Sequence, residues 1–306
     1  MNRNFQRRKD GHAEAFTLIE LLVVIAVLTI LAALPWPALS RARSAADSAV
    51  CKSNLRQMGI GARLYLDEFR AYPLAYKIPH WEHILEPYVG ARWPSNNFVE
   101  TGRDVRVQRA EGVYVCPGYN RIGGLFRDDA EMVDYVGLIS AYGYNISGLV
   151  PPVYYYGGTG PTRCELGLGG ELITTNDWRT FDARPIHENA VVNPSDMIQF
   201  GDSVIGGVGF LGQVQPDGHF QYFSGWFPGG SGSLDLQFEP ETWPTHAPWS
   251  LYKQRHGGRW NVAFCDGHVE NLRPRVLFDK RRDDVLRRWN NDNQPHRELA
   301  PIVPSN

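Results

Sequence analysis

Hydrophobic and polar positions divide the chain into four stretches, and the first boundary is the sharpest. Residues 1–15 are mostly polar, whereas an apolar run opens at Phe16 and continues to about Leu39. Every residue from Leu21 to Leu34 is apolar except Thr29. A helix over residues 16–39 would be about 36 Å long at 1.5 Å per residue, which is enough to cross the hydrocarbon core of a bilayer. The pattern therefore predicts one membrane-spanning helix after a short polar leader.

The next stretch, residues 40–70, has apolar positions at helical spacing. Intervals of four and three residues put these positions on one stripe: Cys51, Leu55, Met58, Ala62, Tyr65 and Phe69. This spacing predicts an amphipathic helix whose stripe packs against the sheet of the domain that follows. A coiled-coil seam is the alternative interpretation, although the stripe is short for one.

The last stretch, residues 71–306, consists of short segments broken by Gly, Pro and Asn. Such punctuation predicts a β-rich head domain, and together with the long helix it predicts an α+β fold with an antiparallel sheet. Short strands are expected at Val113–Cys116 and Met197–Phe200. Residues from about 150 to 170, and from about 206 to 248, are interpreted as surface insertions.

A β-hairpin near the C-terminus has the clearest pattern in the head domain. Residues 260–265 alternate in polarity, Asp266-Gly267 follows, and residues 268–272 return. Asp-Gly between two strands predicts a two-residue type I′ turn, in which both central residues have positive φ. A weaker example of the same pattern is Asp217-Gly218, between Val214 and Phe220.

Composition and charge narrow the functional classes. The formal net charge is -2, from 31 Lys and Arg against 33 Asp and Glu, so no basic field points to nucleic acid as a partner. The four cysteines, Cys51, Cys116, Cys164 and Cys265, lack zinc-type spacing. They predict either disulfides in an extracytoplasmic domain or small buried apolar side chains, and the sequence leaves both interpretations open.

The membrane run itself contains a polar side chain that needs a partner. Glu20 lies within it, where a charge costs ~2.5–3.5 kcal/mol on insertion scales. We expect a group that neutralises this carboxylate; the alternative is that Glu20 lies near the interface and extends to water. Basic residues precede the run and favour a cytoplasmic N-terminus: Arg3, Arg7, Arg8 and Lys9. Cleavage of an ordinary secretory signal near Ala33 is a second alternative.

The run from Ala15 to Ala26, AFTLIELLVVIA, resembles the N-terminus of type IV prepilins and type II secretion pseudopilins. This resemblance implies that a prepilin peptidase cuts between Ala15 and Phe16 and that the new N-terminus is methylated. The chain departs from the family pattern in having Ala15 where Gly is usual. The resemblance also implies that Glu20 meets the N-terminal amine of a neighbouring subunit during assembly. Pro37 takes the place of a helix-kinking proline of pilins, and Pro35 beside it reinforces the expected kink.

A second resemblance lies in the C-terminal hairpin. His256, nine residues and then Asp266-Gly267 are similar to the H-X9-DG motif of a group of pilin-like proteins. The motif alone is weak, but its pairing with the N-terminal sequence is specific. We expect Asp266 to shape the turn and His256 to hydrogen-bond nearby backbone, and a metal site formed by His256 and Asp266 is the alternative.

Together the two resemblances imply a structural role. No enzymatic activity is predicted, because the sequence shows no convergent catalytic cluster. The expected organisation is a cytoplasmic leader (1–15), a single transmembrane helix (16–39), an amphipathic stalk helix (40–70) and a head domain (71–306) on the periplasmic or cell-surface side of the inner membrane. Expected partners are a prepilin peptidase, like or related pilin subunits and inner-membrane lipid. No cofactor is predicted, although calcium is a candidate because pseudopilin heads often hold it. The alternative function is a membrane-anchored module that binds a glycan or an envelope protein without polymerising.

Overall fold

The structure is a computed structural model of the 306-residue chain. It describes residues 17–34, 36–75, 81–93, 112–120, 141–149, 166–174, 181–203, 205–214, 220–230, 234, 236 and 255–299. The chain divides into two compact units, residues 1–43 and residues 44–306. The combination of a long N-terminal helix with a four-stranded antiparallel sheet confirms the predicted α+β fold.

Helices dominate the first part of the described chain. Helix α1 is Leu18–Ala33, and helix α2 is Trp36–Phe69. Shorter helices follow in the head domain: α3 (Trp81–Val89), α4 (Pro117–Asn120), α5 (Pro274–Leu277) and α6 (Asp283–Leu286). Single 3₁₀ turns occur at Gly112–Tyr114, Glu188–Ala190, Arg287–Trp289 and Arg297–Leu299.

The strands form one central sheet and two separate hairpins. They are β1 (Tyr142–Tyr144), β2 (Glu171–Thr174), β3 (Phe181–Arg184), β4 (Ile198–Asp202), β5 (Ile205–Val214), β6 (Phe220–Gly230), β7 (Trp260–Phe264) and β8 (Val269–Leu272). The central sheet has the order β1-β4-β7-β8 with antiparallel neighbours throughout. Strands β2 and β3 pair with each other, as do β5 and β6.

One face of the sheet packs against the apolar stripe of α2. Leu55 and Met58 are fully buried there, in the same cluster as Phe200 of β4 and Ala263 of β7. Gly59 of α2 faces the β7–β8 turn, where an added Cβ would meet the Cα of Gly267 at an ordinary contact distance of 3.7 Å. The stripe therefore packs on the sheet as the helical spacing predicts.

The C-terminal segment covers the opposite face. Val262 and Phe264 of β7 point into this second cluster, together with Phe278 and Trp289. The indole N–H of Trp289 donates to the carbonyl of Leu277 at 3.0 Å. The sheet is thus sandwiched between helix α2 and the segment that follows β8, with an apolar core on each side.

The structure corrects three expectations about the head domain and its helix. Residues 113–116 are not a strand: a 3₁₀ turn ends at Tyr114, and Cys116 directly precedes α4. The apolar stripe ends on Leu66, which is buried, rather than on Phe69, which is 52% exposed. Residues 166–170, expected in a surface insertion, run through the core, where Leu168 is fully buried, and Leu234 and Leu236 of the second expected insertion are buried in the core as well.

Other expectations hold or lie outside the described residues. The strand expected at residues 197–200 is β4, which begins one residue later. Val214 pairs with Phe220, so strands flank Asp217-Gly218 as predicted, although residues 215–219 themselves lie outside the described part. Residues 150–165 also lie outside it.

Candidate functional site: the N-terminal motif and the buried His256 cluster

Helix α1 opens with a capping box built from Thr17 and Glu20. The Thr17 hydroxyl oxygen accepts from the backbone N–H of Glu20 at 3.2 Å, and Glu20 Oε2 accepts from the backbone N–H of Thr17 at 2.9 Å. The same carboxylate oxygen accepts from the Thr17 hydroxyl at 2.7 Å. Reciprocal caps of this kind satisfy backbone N–H groups that the first turn of a helix leaves without partners. Glu20 therefore has local partners within its own helix.

The large apolar side chains of α1 are exposed along its length. Exposure ranges from 78% at Leu18 to 46% at Val24, and the stretch Leu18–Phe69 contains a segment long and apolar enough to cross a membrane by length and composition. The hydroxyl of Thr29 donates to the carbonyl of Ala26 at 2.8 Å, so this polar group is satisfied within the helix. A helix with satisfied polar groups and an apolar surface all round is suited to lipid.

The two prolines lie where one helix ends and the next begins. Helix α1 ends at Ala33, Leu34 follows, and α2 begins at Trp36 with Pro37 as its second residue. A proline at the start of a helix loses no intrahelical hydrogen bond, because its missing N–H would have had no partner there. Pro35 lies outside the described residues, and the kink remains a prediction.

The Asp266-Gly267 hairpin has a different turn from the one predicted. The backbone N–H of Phe264 donates to the carbonyl of His268 at 3.0 Å, which leaves a three-residue loop of residues 265–267. Only Gly267 has positive φ, at 89°, so the loop is the three-residue type with glycine in the left-handed position. Asp266 Oδ1 accepts from the backbone N–H of His268 at 3.0 Å and lies 2.6 Å from its Nδ1. Asp266 shapes the turn as expected.

His256 lies in a buried cluster rather than at the hairpin tip. Its Nε2 is 3.3 Å from the sulfur of Cys116 and 3.5 Å from Oδ2 of Asp202, and the side chains of His256 and Asp202 are fully buried. The backbone of His256 is left-handed, with φ at 51°, which is uncommon outside glycine. Gly118 of α4 packs on the ring: a Cβ there would lie 2.7 Å from Cε1 of His256.

A β-bulge orients Asp202 toward this cluster. Strand β4 shifts register against β7 between Ile198 and Phe200. Ile198 belongs to the core on the far side of the sheet and Phe200 to the core under α2, although two residues of a regular strand would share a face. Asp202, two residues beyond Phe200, thereby lies on the α2 side.

The charge of Asp202 is balanced inside the protein. Burial alone would raise the pKa of this carboxyl, but the Arg255 guanidinium, the neighbouring His256 and a hydrogen bond from Asn261 hold the pKa below its ordinary value. The backbone N–H of Asn261 donates to Asp202 Oδ2 at 2.7 Å. Arg255, itself buried, donates to the carbonyl of Ser203 at 2.8 Å. Asp202 is therefore an anion held in the core by a neighbouring cation.

The two remaining members of the cluster are cysteines. Cys51 on α2 and Cys116 form a disulfide with Cα atoms 5.4 Å apart. Asn54, one turn along α2, donates to the carbonyl of Val115 at 2.8 Å and fixes the neighbouring segment. The bridge decides between the two open interpretations for these cysteines, whereas Cys265 is a buried free thiol and Cys164 lies outside the described residues. Burial raises the pKa of the Cys265 thiol to about 12.

The structure brings together some of the predicted residues and adds others. His256 meets Cys116 and Asp202, while the hydrogen bonds of Asp266 go to His268. Ala15 and Phe16 lie outside the described residues. Thr17 was missed although the sequence Thr17-Leu18-Ile19-Glu20 matches the S/T-x-x-E signature of a capping box. Asp202 carried no sequence signal, because its place depends on the bulge and on the strand order.

Comparison with known proteins gives one match. Residues 12–34 match the model of the prokaryotic N-terminal methylation motif, a region that contains the expected cleavage point, Glu20 and most of α1. Among curated proteins and among solved structures, none matches the chain. The match, on an apolar helix near the N-terminus, supports a pilin-like protein that is processed by a prepilin peptidase and anchored in a membrane.

Proposed function

We propose that this chain is a pilin- or pseudopilin-like structural subunit of a type IV pilus or a type II secretion-like system. Prepilin peptidase cuts between Ala15 and Phe16, and the mature helix sits in the inner membrane with the head domain on the periplasmic or cell-surface side. The observation that carries the proposal is the methylation motif over residues 12–34, which coincides with a helix exposing apolar side chains to its surroundings. The H-X9-DG hairpin adds a second likeness to pilin-like proteins.

Assembly uses the carboxylate of Glu20. In the single chain this carboxylate accepts from the Thr17 N–H and hydroxyl, two neutral donors. A neighbouring subunit's methylated N-terminal amine offers a cation instead, and an ionic partner is the stronger one in a hydrocarbon surrounding. Joining a filament thus exchanges a capping interaction for an ion pair between subunits.

The head domain acts through its shape rather than through catalysis. Aromatic side chains of the binding-module alternative would need to be accessible, yet the tryptophans of the described head core are buried: Trp81, Trp93, Trp260 and Trp289. We propose that assembly needs no cofactor. Calcium prefers oxygen ligands, and the ion-sized cluster that the described residues form contains two sulfurs and an imidazole.

Processing is tested by the intact mass and N-terminal sequence of the chain isolated from membranes with and without prepilin peptidase. We expect a mature chain that begins at N-methylated Phe16 only where the peptidase is present. As a control, Phe16→Ala tests the residue on the mature side of the cut, and Ala15→Gly should be cut at least as completely as the natural sequence. A mature chain that begins after Ala33 would overturn the proposal, and an uncut chain would favour the anchored binding module.

Replacing Glu20 with Gln separates assembly from anchoring. Gln keeps the size of the side chain and can still cap the helix, but it cannot form an ion pair. We expect normal cleavage and membrane retention, with at least a tenfold loss of chemically cross-linked oligomers in the membrane. Thr29→Val, which removes a polar group already satisfied within its helix, is the matched control and should leave the oligomers unchanged. Undiminished oligomers in Glu20→Gln would contradict the role of the charge.

A further inference from the structure

Four potential metal ligands converge beneath helix α2. One ligand atom from each of Cys51, Cys116, Asp202 and His256 lies within 4.8 Å of the others, and all four residues are buried. They come from four separate parts of the fold: α2, the segment before α4, the end of β4 and the loop before β7. The pilin-like function uses none of these side chains directly.

We propose that Cys51, Cys116, His256 and Asp202 bind one zinc ion when the two cysteines are reduced. The disulfide and the zinc ion are then alternative cross-links between the same two cysteines. Two thiolates, one imidazole and one carboxylate form a donor set that zinc takes in four-coordinate sites. The inference rests on the compact unit of residues 44–306 and does not depend on the proposed function.

Two spacings between the ligand atoms match those of a tetrahedral zinc site. Zinc bonds of about 2.0–2.3 Å place neighbouring ligand atoms roughly 3.3–3.8 Å apart. The distance from His256 Nε2 to the Cys116 sulfur is 3.3 Å, and that from His256 Nε2 to Asp202 Oδ2 is 3.5 Å. Both distances are those expected between neighbouring ligand atoms around one zinc ion. Reduction frees both sulfurs to move to their own ligand positions.

A polar atom of the cluster also lacks the partner that burial normally requires. Within the described part of the chain, Asp202 Oδ1, the carboxylate oxygen to which Asn261 does not donate, is buried with no hydrogen-bond partner. Such atoms are uncommon in native proteins, because an unsatisfied buried polar group costs about 1–3 kcal/mol. The left-handed backbone of His256 and the close packing of Gly118 on its ring hold the imidazole beside this carboxylate.

The charges balance in both states. With the disulfide formed, the Asp202 carboxylate is offset by the Arg255 guanidinium. With both cysteines as thiolates, the same groups sum to two negative charges, which one divalent cation neutralises. A buried site avoids a net charge in either form, as the low dielectric of a protein interior requires.

The exchange between the two states is a two-electron reduction followed by metal binding. A phosphine reductant and one water convert the disulfide to two thiols, and the phosphine is oxidised to its oxide. Zinc then displaces the two thiol protons to solvent and forms two metal–sulfur bonds. The reduction potential of the surroundings determines whether the disulfide form or the zinc-bound dithiol form is present.

The test is the zinc content of the full-length chain in detergent, refolded with zinc chloride either as the disulfide or after reduction with a phosphine. After passage over a chelating resin, we expect about one zinc per reduced chain and at least tenfold less per oxidised chain. Cobalt in place of zinc should give the absorption bands of a tetrahedral, thiolate-bound ion. Circular dichroism checks that each preparation has folded.

Variants assign the metal to the proposed ligands. Cys51→Ser and His256→Ala should each lower the zinc content at least tenfold, whereas His268→Ala, at the exposed hairpin tip, and Cys164→Ser should retain it. A folded reduced chain without zinc would overturn the proposal, as would equal zinc in the oxidised chain or loss of zinc in the two control variants. Failure of the reduced chain to refold with zinc would also count against it, because the metal should replace the disulfide.

Discussion

Near pH 5 the Glu82→Gln variant is expected to have almost the same free energy of unfolding as the natural protein. At pH 9 we expect its free energy of unfolding to exceed that of the natural protein by on the order of 4 kcal/mol. Glu82 lies in the first turn of α3 and is only 1% exposed. Burial raises the pKa of this carboxyl to about 8. The folded protein therefore binds a proton at neutral pH that the unfolded chain, with an ordinary carboxyl pKa, does not bind.

The sign of the pH dependence follows from this proton. Because the folded state holds more protons between about pH 4.5 and pH 8, the natural protein loses stability as the pH rises through that window. Gln is neutral at every pH and does not share the loss. Urea unfolding of both chains in detergent at pH 5, 7 and 9, followed by circular dichroism, measures the divergence.

The control for Glu82 is a carboxylate of the same length at the surface. Glu68→Gln on α2 affects an exposed residue that accepts a hydrogen bond from the Tyr88 hydroxyl at 2.6 Å. Its effect on unfolding should stay within about 0.5 kcal/mol, as is usual for surface substitutions. If the curves of Glu82→Gln and the natural protein remained parallel from pH 5 to pH 9, Glu82 would be ionised in the folded state.

Replacing Asn145 with Ala is expected to lower the free energy of unfolding by about 3–5 kcal/mol. This fully buried side chain donates to the carbonyls of Ile198 and Trp289 at 2.9 and 3.0 Å, and its oxygen accepts from the N–H of Gly148 at 3.1 Å. Ala leaves three buried backbone groups without these partners. It also removes the hydrogen-bonded link that Asn145 makes between β4 and the C-terminal segment.

The comparison for Asn145 is an asparagine at the surface. Asn193→Ala removes one hydrogen bond from the Ser195 hydroxyl in an exposed turn, and we expect a change within about 0.5 kcal/mol. Urea unfolding at one pH suffices for both variants. A loss below about 1 kcal/mol for Asn145→Ala would mean that water or a shifted backbone supplies the missing partners.

The features that the sequence predicts well are those that local physics determines. The apolar run after residue 15 predicts the helix that begins at Leu18, and the length and composition of this segment are sufficient to cross a membrane. The stripe from Cys51 to Ala62 gives the face of α2 that packs on the sheet, and alternation around Asp266-Gly267 gives the β7–β8 hairpin. In each case the pattern lies within one segment of the chain, so no knowledge of its partners is needed.

The errors arise where partners from elsewhere decide the local structure. Residues 113–116 have the composition of a strand, yet the carbonyl of Val115 is taken by Asn54 of α2, and Gly112 enters the turn with φ at 60°. Short apolar runs are ambiguous for this reason. Similarly, His256 and Asp202 become neighbours only through the order of the strands and the bulge in β4, neither of which has a local signature here.

The packing of α2 also has a consequence for the order in which the chain can fold. Ser48 on this helix donates to Asn261 on β7 at 3.1 Å, although 213 positions separate the two residues. The helix is synthesised early, and strand β7, which packs on it, is synthesised late. Contacts between residues so far apart in sequence slow folding, and the apolar surface of the helix stays exposed until they form. A chain truncated before Trp260 lacks β7 and β8 and leaves the stripe on α2 without part of the sheet that covers it. Synthesis of the C-terminal hairpin thus distinguishes a complete chain, whose stripe is buried, from a fragment whose stripe stays exposed.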